Sequence, residues 1–303
     1  MVAVVALPMD CLKGCAQFLQ PSVADVLDED RRLQLWDGVD LAQLSETSLR
    51  TLVASGVPSS RRWSLWTWTL DPRDPLPELP GDPVAIPADA TTAQVDALRT
   101  SLGGERLSAG EVESLEKVLR AYASYNPDIG YCQGMNFVVA LLLLVSGDET
   151  ETFRTFIRLV DHLELAGFYA SDFPKLREST EKSSELLQKL LPKLCNHLDE
   201  NGILVEQFLH SWHISLFASC LPRATVLELW DELLTSRCTA ADLAGLSVAL
   251  LELREKQLLR SNGQQLMSAK QRPWACVCAG EATSSLRTVQ KSPLWGPRGT
   301  SGR

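Results

Sequence analysis

The sequence predicts an all-α protein, a single large multi-helix domain with a disordered C-terminal tail. From about residue 91 onward, apolar residues recur at intervals of three and four, which is typical of amphipathic helices. No segment alternates apolar and polar residues between hairpin turns, as the strands of a sheet would. With 303 residues, 45% of them hydrophobic, the chain is long enough to bury one large core.

The part of the chain before residue 91 is patterned less regularly. Residues 1–55 are predicted to form a helical lead-in. A second segment begins at Gly56 and leads into a tryptophan-rich stretch, Trp63, Trp66 and Trp68. Residues 71–87 then carry prolines at positions 72, 75, 77, 80, 83 and 87. Because neither a helix nor a central strand tolerates such a run, we expect an extended connector here.

Two features delimit the helices in the middle of the chain. Ser108-x-x-Glu111 is a capping box that starts a helix. That helix is expected to end at Asn126, because the residue before a proline, here Pro127, disfavours the α region. Residues 137–145 are apolar on all sides, which predicts a central and fully buried helix.

Later helices are predicted from similar signals. Asp148-x-x-Glu151 caps one helix, and a leucine stripe over residues 186–198 indicates another that ends at Asn201-Gly202. The remaining predicted helices span 205–221, 225–234 and 241–259.

Composition changes after residue 260, where apolar residues give way to Ser, Gly, Gln, Arg and Pro. Residues 261–303 contain six Lys or Arg and one acid, so we predict a disordered basic tail. The predicted organisation is therefore a lead-in over 1–55, a helical domain over 56–260 and a tail over 261–303.

Charge and cysteine usage narrow the class of protein. A formal net charge of −9 and a pI of about 5.1 argue against nucleic-acid binding, because an acidic surface repels phosphate. The 8 cysteines are scattered, as in a reducing compartment. The longest apolar run, residues 137–145, is too short to span a bilayer. We expect a cytoplasmic protein.

Several kinds of active site lack their sequence signals. The chain contains no Gly-Lys pair, so no P-loop is predicted. Its 4 histidines lie inside predicted helices. His210 and His213 could share one helical turn and hold a metal, yet no third ligand is marked and helical histidines are usually structural. We predict no metal site and no active site for a free substrate.

A polar turn precedes the apolar segment 137–145 and reads Tyr131-Cys132-Gln133-Gly134-Met135-Asn136. A helix start offers free N–H groups and a positive dipole end, which suit a phosphate. Gln133 does not titrate, but its amide can orient a water or bridge polar groups. Gly134 indicates a close approach of the backbone to another group. Taken alone, Gln133 is more often a turn-stabilising amide.

A second polar pair lies upstream of a Gly103-Gly104 turn. Asp96 and Arg99 are three residues apart, so on a helix the carboxylate can brace the guanidinium or a neighbouring group. Taken alone, Arg99 is more often a surface arginine.

Together and in this order, these residues resemble the TBC-domain family of Rab GTPase-activating proteins. Residues 119–136 are similar to the family signature almost letter for letter. Gly56-Val57-Pro58, with Arg62 and Trp66, resembles its opening motif. Later family blocks are matched by Gly167-Phe168-Tyr169, Trp212, Phe217, Pro222, Trp230 and Asp231. The resemblance covers roughly residues 50–260.

The resemblance implies a protein that stimulates GTP hydrolysis by a partner, with an arginine finger and a glutamine finger supplied in trans. Carried onto this chain, the arginine finger is Arg99 and the glutamine finger is Gln133. The supporting residues it implies are Asp96, Tyr131, Gly134 and Asn136. The structural motif residues it implies are Arg62, Trp66, Trp212, Trp230 and Asp231.

The resemblance also implies the partner, a Rab-family small GTPase active in vesicle trafficking. GTP and Mg²⁺ belong to that partner, so the chain needs no cofactor of its own. Membrane contact is expected to be indirect, through the lipidated GTPase on endomembranes. No nucleic-acid partner is expected.

Departures from the family pattern favour a second hypothesis. Ala93 stands where the motif has isoleucine, and Ser101-Leu102 replace an aromatic residue and a proline. We expect these changes to remove apolar anchors around Arg99. Family-like sequence also stops near residue 260, as if the last helices were missing. The alternative is a catalytically weak TBC scaffold that binds a GTPase or other partner without accelerating hydrolysis. An unrelated helical adaptor would require the match over residues 131–136 to be accidental.

Overall fold

The computed structural model describes residues 28–70, 76–79, 90–235 and 243–266, and over these residues the chain is mostly helical. In chain order the helices are α1 (Glu29–Trp36), α2 (Glu46–Ala54), α3 (Ser59–Thr69), α4 (Ala90–Arg99), α5 (Ala109–Tyr125), α6 (Met135–Ser146), α7 (Glu149–His162), α8 (Ala166–Tyr169), α9 (Pro174–Leu190), α10 (Pro192–Glu200), α11 (Glu206–Ile214), α12 (Arg223–Thr235) and α13 (Leu243–Leu258). A 3₁₀ turn (Leu41–Gln43) follows α1, and two short strands, β1 (Ser101–Leu102) and β2 (Glu105–Arg106), pair antiparallel after α4. The predicted fold class is confirmed, with this ladder as an addition.

Some predictions lie outside the described residues. They concern the beginning of the lead-in (1–27), most of the proline-rich connector (71–75 and 80–89) and the tail from residue 267.

Helix α6 is the centre of the core, as its apolar sequence predicts. It packs against α5 and α7, and Met135 and residues 138–142 have no exposed surface. Phe137, Leu144 and Val145 are only partly buried, so the prediction of a helix buried on every side is wrong at these positions. They pack at the margin of the core, where neighbouring helices cover part of each side chain.

The capping signals act as predicted. The Ser108 hydroxyl accepts from the Glu111 amide, and the Glu111 carboxylate accepts from the Ser108 amide, which completes the capping box of α5. Helix α5 ends at Asn126 before Pro127. The Asp148 carboxylate caps α7 through the amide three residues on.

The leucine stripe over 186–198 belongs to two helices, which corrects the prediction of one. Helix α9 ends at Leu190 and α10 begins at Pro192. A proline inside a helix lacks the N–H for the i to i−4 hydrogen bond and clashes with the preceding turn, whereas it suits the first helical position. The predicted stop is confirmed, since α10 ends at Glu200 and Gly202 has φ of +68°.

The helix predicted over 205–221 is also shorter, because α11 ends at Ile214. Leu216 and Phe217 follow with φ of +48° and +65°, a conformation that side chains with a Cβ rarely adopt. Both side chains are fully buried. Burial of these large apolar groups compensates for the backbone strain, so packing ends the helix before Pro222 does.

A buried ion pair joins the beginning of the described domain to its later part. The Arg62 guanidinium, on α3, donates to both carboxylate oxygens of Asp231, on α12, at 2.9–3.0 Å. Trp66 Nε1 donates to the same carboxylate at 2.8 Å, and Arg62 also donates to the Val57 carbonyl. The Trp66 ring lies against Trp230, with centroids 5.5 Å apart. Each polar atom brought into the core here has a charged or hydrogen-bonding partner.

His213 is a buried histidine held between two serines. The Ser247 hydroxyl donates to the Leu243 carbonyl at 2.9 Å, so at its 2.7 Å contact with His213 Nε2 it accepts. Nδ1 then accepts from the Ser179 hydroxyl, 3.1 Å away. Burial, with a smaller contribution from the neighbouring His210, lowers the pKa of His213 to about 3. The ring is therefore a neutral connector between α9, α11 and α13.

Packing continues a few residues beyond position 260. Leu266 is fully buried in the core, and His197 Nε2 donates to the Ser261 carbonyl at 2.9 Å. The predicted domain boundaries stay predictions, but a chain cut at residue 260 would lose a core side chain.

Truncation can test how far the domain extends. A chain ending at residue 266 should unfold in urea with the same free energy as the full chain, because the sequence from 267 on has few apolar residues to bury. A chain ending at residue 260 should be less stable by about 2–5 kcal/mol, the range for losing a buried leucine. Equal stability of the two truncated chains would contradict the role given to Leu266.

His213 should make stability depend on pH. Its folded pKa is about 3 against an ordinary 6.5, so below pH 6.5 the unfolded chain binds a proton that the folded chain does not. This part of the stability is present above pH 6.5 and is lost as pH falls. Between pH 7.5 and pH 5, the wild type should lose about 2 kcal/mol more than His213→Gln does. Urea titrations at the two pH values measure the difference, and parallel losses would contradict it.

Candidate functional site

Arg99 and Gln133 both lie on the surface, at the ends of two helices. Arg99 is the last residue of α4, and Gln133 lies in the turn before α6. Both residues are exposed, and among the described residues neither side chain has a hydrogen-bonding or ionic partner. The arrangement leaves a guanidinium and an amide available to another molecule.

The backbones that carry these two side chains are joined by the amide of Asn136, which is 3% exposed. Its nitrogen donates to the Thr100 hydroxyl at 2.8 Å, directly after Arg99. Its oxygen accepts from the Gly134 amide at 3.0 Å, directly after Gln133. One buried side chain therefore sets the distance between the end of α4 and the turn before α6.

Tyr131 makes a second connection between the same segments. Its hydroxyl donates to the Asp96 carboxylate at 2.7 Å and lies 3.4 Å from the Asn136 oxygen. Burial, and then this bond to Asp96, raise the pKa of Tyr131 well above its ordinary value, so the hydroxyl stays a donor. The group braced by Asp96 is thus Tyr131, one of the two possibilities that the spacing left open, and Arg99 is held through its backbone.

Gly134 allows a close approach, as predicted, and the approaching group is Ile214 at the end of α11. Gly134 has φ of +115°, and a Cβ there would lie 2.6 Å from Ile214 Cγ2. The Ile214 carbonyl accepts from the Tyr169 hydroxyl at 3.2 Å, which fixes this end of α11. A side chain at position 134 would displace the turn that presents Gln133.

Three backbone amides at the start of α6 are used within the turn, so they are not among the free N–H groups expected there. The Gly134 amide donates to Asn136, the Met135 amide to the Cys132 carbonyl at 3.1 Å, and the Phe137 amide to the Gly134 carbonyl at 3.2 Å. The turn is held by its own hydrogen bonds and exposes the side chain of Gln133.

A family model described as the Rab-GTPase-TBC domain matches residues 89–259, more than half of the chain. The chain belongs to the Rab-GTPase-TBC domain family. The matched range includes Asp96, Arg99 and the whole turn from Tyr131 to Asn136.

Curated relatives match this TBC domain over part of their own length. The GTPase-activating protein GYP5 of Eremothecium gossypii is 31% identical over 205 residues, which are 65% of this chain and 24% of the relative. Growth hormone-regulated TBC protein 1 of Rattus norvegicus is 37% identical over 119 residues, 39% of this chain and 41% of the relative. The chain therefore spans less than half the length of these proteins.

Two solved structures share the fold. The flagellar RabGAP TBC domain of Chlamydomonas superposes with a TM-score of 0.62 at 21% identity, over 95% of each chain. The Ypt/Rab-GAP domain of Gyp1p gives a TM-score of 0.55 at 16% identity, over 95% of this chain and 98% of the other. At these identities the likeness establishes a TBC-type fold.

Ala93 and Leu102, two of the residues that depart from the family pattern, are both buried in this TBC domain, and each is 1% exposed. Leu102 is among the largest fully buried side chains. Leu102 is thus an apolar anchor for the segment after Arg99, and the expected effect of the changes on the placement of Arg99 stays a prediction. No role was predicted for Thr100 and Ile214, which reach the site through contacts with residues far away in the chain. The sequence signal that could have indicated Thr100 is its hydroxyl side chain directly after Arg99.

The Asn136 connection can be tested by comparing two nearby amides. Asn136→Ala should lower the free energy of unfolding by about 1–3 kcal/mol, since it leaves the buried Gly134 amide without its partner. It also removes one of the two hydrogen bonds of the Thr100 hydroxyl, which keeps its bond to the Asp96 carbonyl. Gln133→Ala removes the same chemical group from an exposed position and should change stability by less than about 0.5 kcal/mol. Urea unfolding measures both, and similar effects of the two substitutions would mean that Asn136 does not hold the turn.

Proposed function

We propose that this domain stimulates GTP hydrolysis by a Rab-family small GTPase, with Arg99 and Gln133 acting in trans on the partner's nucleotide. The observation that carries the proposal is the combination of two exposed, unpaired side chains with a constrained backbone at the site. Both side chains are exposed and without partners among the described residues, while Asn136 joins the two backbones. A pair built for internal stability would be buried and mutually bonded.

Arg99 suits the stabilisation of negative charge. In phosphoryl transfer to water, charge spreads over the oxygens of the transferred group, and an always-charged planar guanidinium can neutralise it. Arginine fingers accelerate such reactions by roughly 10³–10⁵-fold. In barrier terms this is about 4–7 kcal/mol.

Gln133 suits the orientation of the attacking water. Its amide offers a donor and an acceptor a short distance apart, and it does not titrate. It can therefore hold a water in line with the scissile bond without taking part in acid–base chemistry. Burial raises the pKa of the adjacent Cys132 to about 11, so that thiol stays protonated and does not act as a nucleophile.

The proposal places the nucleotide on the partner. GTP and Mg²⁺ come with the GTPase, and this chain contributes side chains only. No described helix is long and apolar enough to cross a membrane. We propose that the domain acts in the cytoplasm and meets endomembranes through the lipidated GTPase.

The test is GTP hydrolysis by a panel of purified Rab proteins, followed by substitutions with a responsive partner. Arg99→Ala should lower the rate of stimulated hydrolysis by at least about 10²-fold. This lower bound is smaller than the full effect of an arginine finger. Arg99→Lys keeps the charge but loses the planar fork, so it should also be impaired. Gln133→Ala should be severe, and the double variant little worse than the poorer single one, since residues that act as a unit are not additive.

Arg61→Ala is the matched control for Arg99→Ala, because it removes another exposed arginine of the same domain. It should retain the hydrolysis rate of the wild type. If Arg99→Ala stimulates a responsive Rab as well as the wild type does, the finger assignment is wrong. The scaffold hypothesis, binding without acceleration, then replaces it.

A further inference from the structure

The segment directly after Arg99 is a tight hairpin. Leu102 pairs with Glu105 across β1 and β2, and Gly103 and Gly104 form the connecting turn with φ of +61° and +91°. Positive φ at both central residues is the geometry of a type I′ turn, which glycine adopts without strain. The hairpin therefore reverses the chain within a few residues of Arg99.

The hairpin is docked on the start of α12. An added Cβ at Gly103 would lie 2.7 Å from the backbone nitrogen of Arg223 and 3.3 Å from Pro222 Cα. The Glu105 carboxylate pairs with the Arg223 guanidinium at 2.9 Å. Leu102, directly before Gly103, is buried in the core. Backbone meets backbone at Gly103, so neither partner can yield as a flexible side chain would.

We propose that this hairpin, Ser101–Arg106, positions Arg99 for catalysis, with Gly103 as the positioning residue. The proposal rests on the function proposed above for Arg99. The Arg99 side chain has no partner among the described residues, so its reach is set by its backbone. That backbone is fixed at Thr100 by Asn136 and, three residues further, at Gly103 by α12. A displacement of about 1 Å at a catalytic group can cost roughly 10²-fold in rate.

Two alanine substitutions in the same turn distinguish the loss of the contact with α12 from the effect of backbone strain. Gly103→Ala and Gly104→Ala both put a Cβ on a residue with positive φ, but at Gly104 the added atom meets nothing within 4 Å. Gly103→Ala must therefore shift the hairpin on α12, whereas Gly104→Ala bears the backbone strain alone. The second variant is the matched control for the first.

Kinetics with a responsive Rab provide the first readout. Gly103→Ala should lower kcat by about 10- to 100-fold and leave KM for the GTP-loaded Rab within about twofold, because Arg99 acts in the transition state. Gly104→Ala should stay within about threefold of the wild type in kcat. Equal kcat values for the two variants would overturn the proposal.

A double-mutant cycle shows whether the effect passes through Arg99. In an Arg99→Ala background, Gly103→Ala should cause no further loss of the residual stimulation, since the group it positions is already absent. A further loss of the same factor would mean that the hairpin supports the fold in general, and the positioning role would be wrong.

Hydrogen exchange tests the docking without a GTPase. The amides of residues 100–106 should exchange at least about tenfold faster in Gly103→Ala than in Gly104→Ala, because the local opening free energy falls when the docking contact is lost. Unchanged exchange overturns the proposal even if hydrolysis is affected. If no Rab responds to the wild type, the proposed function fails, while this measurement still decides whether Gly103 docks the segment.

A milder variant covers the case in which Gly103→Ala does not fold. Glu105→Gln removes the exposed ion pair to Arg223 and leaves the core intact. It should lower kcat by about two- to threefold with KM unchanged, as expected for a surface pair of modest strength. A rise in KM with constant kcat would instead assign the hairpin to partner binding and overturn the proposal.

Discussion

The amide of Asn136 is the constraint on which the arrangement of this site depends. It lies in the core, where an unsatisfied polar group is costly, and it bonds to Thr100 on one side and Gly134 on the other. Each of these residues directly follows an exposed side chain. Because leaving the amide unsatisfied would be costly, its two hydrogen bonds keep the end of α4 and the turn before α6 at a fixed separation. This separation also sets the distance between the backbones of Arg99 and Gln133, although neither side chain contacts the amide.

The backbone of this site is held by many contacts, whereas its two exposed polar side chains have no hydrogen-bonding partner among the described residues. The apolar helix α6, the Tyr131–Asp96 bond and the contact of Gly134 with Ile214 fix the backbone. The two polar side chains that project from it, Arg99 and Gln133, are exposed and have no partner among the described residues. Such a division suits a protein that must complete an active site located on another molecule, because the ordering of the side chains is then coupled to recognition.

Features encoded by neighbouring residues could be predicted from the sequence, and those encoded by distant residues could not. The capping box at Ser108, the helix end at Asn126 and the central apolar helix depend on residues a few positions apart. The early end of α11 depends on the burial of Leu216 and Phe217 by other helices, a contribution that no local pattern contains. At the site, the tract around Gln133 indicated a functional turn, whereas the roles of Thr100 and Ile214 become visible only once separate segments meet.

The ion pair between Arg62 and Asp231 joins residues separated by 169 positions. While the chain is being synthesised, Arg62 and Trp66 leave the ribosome long before their carboxylate partner exists. At elongation rates of about 5–20 residues per second, this delay is on the order of ten seconds. During it, the guanidinium and the indole lack the carboxylate that both bind in the native core. Completion of this part of the core is thereby tied to the arrival of α12, because a chain released before that helix emerges lacks the shared partner of Arg62 and Trp66.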